Sequence, residues 1–240
     1  MTPRMLIGTD PEVFLRDKTS GRFVSAHGMF PGTKEEPFRL DRGAMQVDGH
    51  ALEFNTDPVD NEDDFVEVVN HVFNQVKGAV EVFDPNLEVV LEPVAKFDEV
   101  YFSILPEDSK VLGCTPDFSA ITGKELGAPD ISHVPLRTSS GHIHIGWTKD
   151  EDAFDEVEFK KRFVLANRIT PYLLKVAEKW ETDASKERRK YYGRDGAFRP
   201  KSYGVELRAL DCLWLKSDET IRQVFRAAKE GFEKEFKYAL

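Results

Sequence analysis

Cysteine is scarce in this chain: two in 240 residues, Cys114 and Cys212, far apart and outside any Cys-x-x-Cys spacing. That excludes a disulfide-stapled scaffold and a thiolate-rich zinc site, and fits free buried thiols in a reducing cytoplasm. No stretch approaches the roughly 20 apolar residues a membrane-spanning helix needs. Residues 1–15 lack a basic segment followed by an apolar one, so no secretory signal is expected. Positive charge is outnumbered, 33 Lys and Arg against 43 Asp and Glu, for a formal net charge of -10. A general affinity for nucleic acid or anionic membrane is therefore not expected. Also missing are a GxxxxGK[ST] loop and a GxGxxG turn after a strand, so the common backbone cradles for nucleotide phosphates are absent. There is no internal repeat, low-complexity tract or long Gly/Ser linker, and 40% hydrophobic with 32% charged residues is an ordinary globular balance. A single domain over residues 1–240 is the expectation.

What the chain does have is a set of short alternating segments. Apolar and polar residues alternate with period two, or run briefly, at Met5–Gly8, Glu12–Arg16, Phe23–Ser25, Met45–Val47, Ala51–Asn55, Leu87–Leu91 and Tyr203–Leu210, punctuated by Asp10-Pro11 and Pro31-Gly32. Helical spacing marks about 62–82, capped by Asp60 or Asn61, then about 156–180, which Pro171 should kink or split, and about 218–236. Residues 116–129 read as a long loop. Irregular mixing of strands and long helices predicts an α+β fold. Its sheet should be largely antiparallel, with helices packed on the outer face and the other face left for a site.

The most informative stretch is Arg137-Thr-Ser-Ser-Gly-His-Ile-His-Ile-Gly146. On a strand, His142 and His144 project to one side while Ile143 and Ile145 anchor the other. Two imidazoles in parallel can share a metal or clamp an anion. The same device recurs in Gln46–Asn55, where Glu53 and Asn55 oppose Leu52 and Phe54, with Asp48 upstream, and in Tyr203–Asp211, where Glu206 and Arg208 oppose Val205 and Leu207. Thr9-Asp10-Pro11-Glu12 ends a strand with Glu12. A charged residue on an open strand face is usually just solvated. Glutamates on three strands beside a His-x-His strand, however, repel one another on a shared concave face unless cations neutralise them. Oxygen donors with few sulfurs point to Mg²⁺ or Mn²⁺. Arg188, Arg189, Lys190, Arg194, Arg199 and Lys201 supply a basic complement. Lys186–Lys190 reads as solvated surface, whereas Arg199 and Arg208 alternate with apolar residues and should face the site. Guanidinium forks beside metal-binding carboxylates suit phosphoryl transfer.

In that order, Gly-Thr-Asp-Pro-Glu, Val-Asp-Gly-His-Ala-Leu-Glu-Phe-Asn, Gly-Cys-Thr-Pro-Asp-Phe, Ser-Gly-His-Ile-His-Ile-Gly and Tyr-Gly-Val-Glu-Leu-Arg-Ala-Leu-Asp resemble a phage-associated amidoligase family. These are the type 2 carboxyl–amine ligases, related to glutamine synthetase and glutamate–cysteine ligase. The resemblance spans about residues 6–215. It implies a curved antiparallel sheet of the glutamine synthetase/glutamate–cysteine ligase type, holding ATP and two or three Mg²⁺ ions on its concave face. It implies Glu12, Glu53 and Glu206, with His142, as metal ligands, and His142 and His144 near metal or ATP phosphates. Arg199 and Arg208 would bind ATP and stabilise the transferred phosphoryl group. The chain is shorter than these better-known relatives, and the Asp48–Glu53 spacing differs from theirs.

The expected reaction is an ATP-dependent ligation of a small-molecule or peptide carboxylate to an amine through an acyl phosphate, in the cytoplasm, the host's if the chain is phage-encoded. Phosphorylation turns a poor leaving oxygen into a good one. Asp48 is placed as the base for the attacking amine. Two other readings use the same residues. A metal-dependent hydrolase would hold Zn²⁺ through His142, His144 and a glutamate, and a non-catalytic binding protein would leave the glutamates as ordinary surface.

Overall fold

The fold was analysed in a computed structural model that describes residues 2–110, 117–127 and 129–239. Cys114, and most of the Gly113–Phe118 motif, lie outside these residues. In chain order the strands are β1 (Leu6–Asp17), β2 (Phe23–Val24), β3 (Phe38–Leu40), β4 (Gly43–Asp48), β5 (Ala51–Thr56), β6 (Leu87–Val90), β7 (Val94–Lys96), β8 (Asp117–Phe118), β9 (Glu125–Leu126), β10 (Leu136–Thr138), β11 (Gly141–Gly146), β12 (Phe198–Lys201) and β13 (Gly204–Leu207). The helices are α1 (Glu62–Phe83), α2 (Glu99–Ser103), α3 (Glu156–Ala177), α4 (Asp183–Arg188) and α5 (Asp218–Glu235). The main sheet runs β3-β4-β5-β1-β11-β13-β12-β8-β9, with β2 and β6 also paired to β1, and β7 with β10 forms a separate ribbon. Every strand pairing is antiparallel. The mixed α and β composition and the antiparallel sheet therefore match the expectation.

β1 is the shared strand. Its first half pairs with β11 from Leu6↔Gly146 to Pro11↔Gly141, and its second half pairs with β5, β2 and β6. The sequence suggested two strands broken at Asp10-Pro11, but β1 runs through. Pro11 falls where the ladder with β11 ends, so its missing N–H costs no bond there. Pro171 likewise fails to split α3, which continues from Glu156 to Ala177. Ile169 and Leu173 flank it, fully buried in the core, and that packing outweighs one absent backbone bond. α1 starts at the Asn61 cap, whose side chain accepts from the Asp64 N–H, while Asp60 pairs with Arg4. The expected 116–129 loop contains the small β8–β9 hairpin, and the basic stretch contains β12, a strand unrecognised from sequence although Phe198-Arg199-Pro200-Lys201 alternates.

Alternation divides the sheet. Ile7, Val13 and Leu15 of β1, Ile143 and Ile145 of β11, and Val205 and Leu207 of β13 join Val68 and Val72 of α1, Leu165 and Ile169 of α3, and Val224 and Phe232 of α5 in one core. The opposite face of β1 carries Gly8, Asp10, Glu12 and Phe14. Its Phe14 end is sealed by a second apolar cluster with Ala51, Phe97 and Phe102. Gly141 starts β11 against Trp214, where a Cβ would run into the indole Nε1 and the Asp211 carbonyl, so only glycine fits.

Ile143 is fully buried directly between the two histidines of β11. Truncation there should cost about 0.5–1.5 kcal/mol as Ile143→Val and about 2–5 kcal/mol as Ile143→Ala in urea unfolding. A loss under about 0.5 kcal/mol for the alanine variant would mean that this face is not core.

Candidate functional site

The face away from the helices collects the polar side chains singled out from sequence. β1 contributes Asp10 and Glu12, β4 Asp48, β5 Glu53, β11 His142 and His144, β12 Arg199, and β13 Glu206, with Arg208 just after it. Register brings them side by side: Glu12 stands opposite Glu53, Asp10 opposite His142, and Glu206 between His144 and Arg199. They surround one cavity of about 870 Å³, which all of them line except Glu206, whose side chain is fully buried. This face is not open, as the sequence suggested. His142, Glu53 and Arg208 are each under a tenth exposed.

Two groups of donor atoms converge within 4.8 Å: Glu12, Asp48 and Glu53, and Asp10, His144 and Glu206. The first is all carboxylate and the second is a His with two carboxylates. Asp48, placed as a base from sequence, is here a member of a donor group and also holds Lys34 Nζ at 2.9 Å. The second group contains His144 and not His142, the histidine named as a metal ligand from sequence. His142 is engaged on both sides: Nδ1 lies 3.1 Å from Asp10 Oδ1 and Nε2 3.2 Å from the Tyr192 hydroxyl. His144 Nδ1 meets the Tyr203 hydroxyl at 2.5 Å, while its Nε2 lies 2.9 Å from the same Asp10 oxygen, outside hydrogen-bond alignment.

Electrostatics separates the two groups. Burial, then Asp48, pushes the Glu12 carboxyl up to about 7, against the opposing pull of Ser140, Arg208 and Arg188. Burial, then Asp10, Glu12 and Asp48, raises Glu53 well above the usual carboxylate range. Like charges directly opposite on neighbouring strands repel, and burial removes the water that would screen them. Asp10 behaves oppositely. Burial would raise it, but the facing His144 and His142 rings hold it well below its usual value. Burial and then Arg208 depress His142, whereas for His144 the adjacent Asp10 and Glu206 overcome burial and raise it.

The basic side chains gather at Glu206. Arg208 Nη1 is in direct contact with its Oε1, Lys201 Nζ lies 2.8 Å from its Oε2 and Arg199 Nη1 3.7 Å away. Arg199 and Arg208 also converge on Asp117 Oδ1, each at 3.0 Å. The expected solvated run Lys186–Lys190 is corrected at Arg188, which is 1% exposed. Its Nε donates to the Ser139 carbonyl and its Nη1 to that of Ala209, tying the approach to β11 to the chain after β13. Charge-cluster reasoning could not find it, because a buried guanidinium satisfied by carbonyls looks like a surface one in sequence. Asp10 went unassigned because Asp-Pro signals a turn, and Asp117 because two residues make a poor strand signal. Lys34 sits in a loop with no pattern.

No protein-family model matches this chain, and no curated protein matches it.

Glu12 and Glu53 are both raised above their unfolded values. The folded protein therefore keeps protons that the unfolded chain releases from about pH 4.5 up to about 7, and without a cation its stability should fall as pH rises through that window. Glu53→Gln removes one of the repelling charges. In chelator at neutral pH its urea midpoint should exceed the parent's, and the gain should vanish when Mg²⁺ or Mn²⁺ is added. A variant less stable than the parent in chelator would refute this account.

Proposed function

We propose that the protein is an ATP- and Mg²⁺-dependent carboxylate–amine ligase, built on a curved sheet of the glutamine synthetase/glutamate–cysteine ligase type. One observation carries the reading: two convergent donor groups and a cluster of Arg199, Lys201 and Arg208 on adjacent strands around a single cavity. The ordered motifs resembling the type 2 amidoligases support it, since their Glu12, Glu53, His144, Glu206 and Arg208 are the residues brought together.

The donor sets fit divalent ions. Glu12, Asp48 and Glu53 offer hard oxygens whose ionised forms are disfavoured in the absence of a cation, and Asp10, His144 and Glu206 suit Mg²⁺ or Mn²⁺ equally. Bound there, such ions would neutralise phosphate charge and help to orient a triphosphate. The chain's own groups do the remaining work. Arg199 and Arg208 are fixed by Asp117 and Glu206, so their forks meet the charge that develops on the transferred phosphoryl group without reorganising. Lys201 adds a point charge beside them. The substrate carboxylate attacks the γ-phosphorus, ADP leaves, and the amine then displaces phosphate from the acyl carbon. The recessed floor around His142, Glu53 and Arg208 limits water there, which would otherwise hydrolyse the acyl phosphate. Asp48 is an ion ligand paired to Lys34, and the proton the amine loses leaves with the released phosphate or to solvent.

A hydrolase reading draws on the Asp10–His144–Glu206 group, which could hold one zinc. It gives Arg199 and Arg208 no task. Phosphate release from ATP with Mg²⁺ and pools of acids and amines tests the ligase directly. Stoichiometric zinc in protein purified without added metal, together with amide hydrolysis independent of ATP, would overturn it.

Glu206 and Arg208 separate under metal titration. Glu206→Gln keeps shape but loses a ligand charge, so activity should fall and partly recover at high Mg²⁺. Arg208→Lys keeps charge but loses the fork. Its kcat should fall by about 10- to 1000-fold, roughly 1.4–4 kcal/mol, with ATP affinity little changed and no rescue by metal. Equal rescue of both would move phosphoryl transfer elsewhere.

A further inference from the structure

Two residues of the sequence motifs have no part in the proposed chemistry, Arg137 at the head of the His-x-His motif and His50 between Asp48 and Glu53. Both are buried, 3% and 1% exposed, and both line the same cavity as the donor groups. They share a neighbour. The Arg137 guanidinium lies 4.7 Å from the centre of the Phe102 ring and the His50 ring 5.6 Å from it, so the two sit at the end of the site face that the Phe14 cluster closes.

Among the described buried Lys and Arg side chains, only Arg137 and Arg188 form no ion pair, and Arg188 stands in the field of Asp211 and Glu12. Arg162 meets Glu151 and Glu158, and Arg208 meets Glu206 and Asp117. Arg137 has no carboxylate partner among the described residues. Its Nη1 donates to the Ile131, Val134 and Leu136 carbonyls and its Nη2 to that of Lys110. These bonds fix the fork, but carbonyls carry no net charge, and a buried cation without a counter-ion is costly. Its Nε has no hydrogen-bond partner among the described residues, nor has His50 Nε2, although His50 Nδ1 is anchored on Ser25 Oγ at 2.7 Å. Lys110 Nζ, paired to Glu107, also faces the Phe102 ring, 5.4 Å from its centre. The cavity thus has an acidic middle and a cationic end with two unused buried nitrogens.

We infer that Arg137 and His50 form a carboxylate-binding subsite, and that the acid substrate is a dicarboxylate, anchored there through one carboxylate while the other is presented to the Glu12–Glu53 and Glu206 region. The inference rests on the ligase reading for the fate of the second carboxylate, but not for the subsite itself. A carboxylate is the counter-ion that Arg137 lacks, and it accepts hydrogen bonds from a guanidinium and from the ring N–H that His50 carries at Nε2 when the Ser25 hydroxyl, already accepting from the His27 N–H, donates to Nδ1. Phe102 packs against both side chains from outside the cavity and holds them in place, while Phe14 adds an apolar wall to the cavity itself.

The test is calorimetric, in excess Mg²⁺ and without nucleotide. The probes are the α,ω-diacids from succinate to suberate and the monomethyl ester of each, which keeps the length but lacks one charge. In the parent protein at least one diacid should bind ten-fold or more tighter than its ester, about 1.4 kcal/mol. Arg137→Lys should bring that diacid to the affinity of its ester and leave the ester unchanged, and His50→Gln should do the same more weakly. Diacids no tighter than their esters in the parent protein overturn the inference, whatever the variants do. So does an equal loss for diacid and ester in the variants. Preferred binding of a diacid with no ADP formed from ATP, whatever the amine, would instead sink the ligase reading and leave the subsite standing.

Discussion

A strand has two faces, and the antiparallel sheet of this protein gives each face a separate task. The apolar half of every central strand is committed to α1, α3 and α5, and burying each Val, Ile or Leu there contributes about 1.5–3 kcal/mol. That apolar face fixes the register, because a slip of one residue would turn the whole set outward. With register fixed, the intervening positions have no freedom of their own. Asp10, Glu12, Glu53, His142, His144 and Glu206 are held on one face of the sheet by isoleucines and valines that lie on the other.

What the hydrophobic face secures, the polar face works against. Two glutamates directly opposite across β1 and β5, with a third carboxylate within 4.8 Å, is an arrangement that no folding rule favours. Its cost is met by the stability of the rest of the sheet, and local charge imbalance of this kind is what a site must carry if a cation is to bind there. The cavity is correspondingly polarised, with carboxylates at its middle, guanidinium forks on β12 and after β13, and at the Phe102 end a cation without a counter-ion among the described residues.

Sequence carried the alternating segments well. Ile143 and Ile145, Leu52 and Phe54, and Val205 and Leu207 pointed to the core, and so located the histidines and glutamates on the other face. It failed where local chemistry and tertiary context disagree. Pro11 and Pro171 are breakers by any local rule, yet a strand changing partners absorbs one and a packed helix the other. Arg188 looked like surface because nothing in a chain of letters distinguishes a guanidinium in water from one satisfied by three carbonyls. Asp117 and Lys34 reach the site from a two-residue strand and a loop, and only folding reveals their partners. Which carboxylates would be neighbours was also hidden, since Asp48 joins Glu12 and Glu53 through a strand order that periodicity does not encode.

Asp10 and Glu12 belong to different donor groups but to one strand, two residues apart. Their separation along the strand is thus set by the backbone pleat, at about 6.5 Å, and by no side-chain choice. The two positions are coupled as teeth on one rack. An insertion or deletion in β1 cannot shift one without displacing the other, whereas Glu53 and Glu206 lie on separate strands and can drift with their own loops. Divergence of this scaffold toward new ligands is therefore mechanically biased: the spacing between centres stays fixed while the walls around them change.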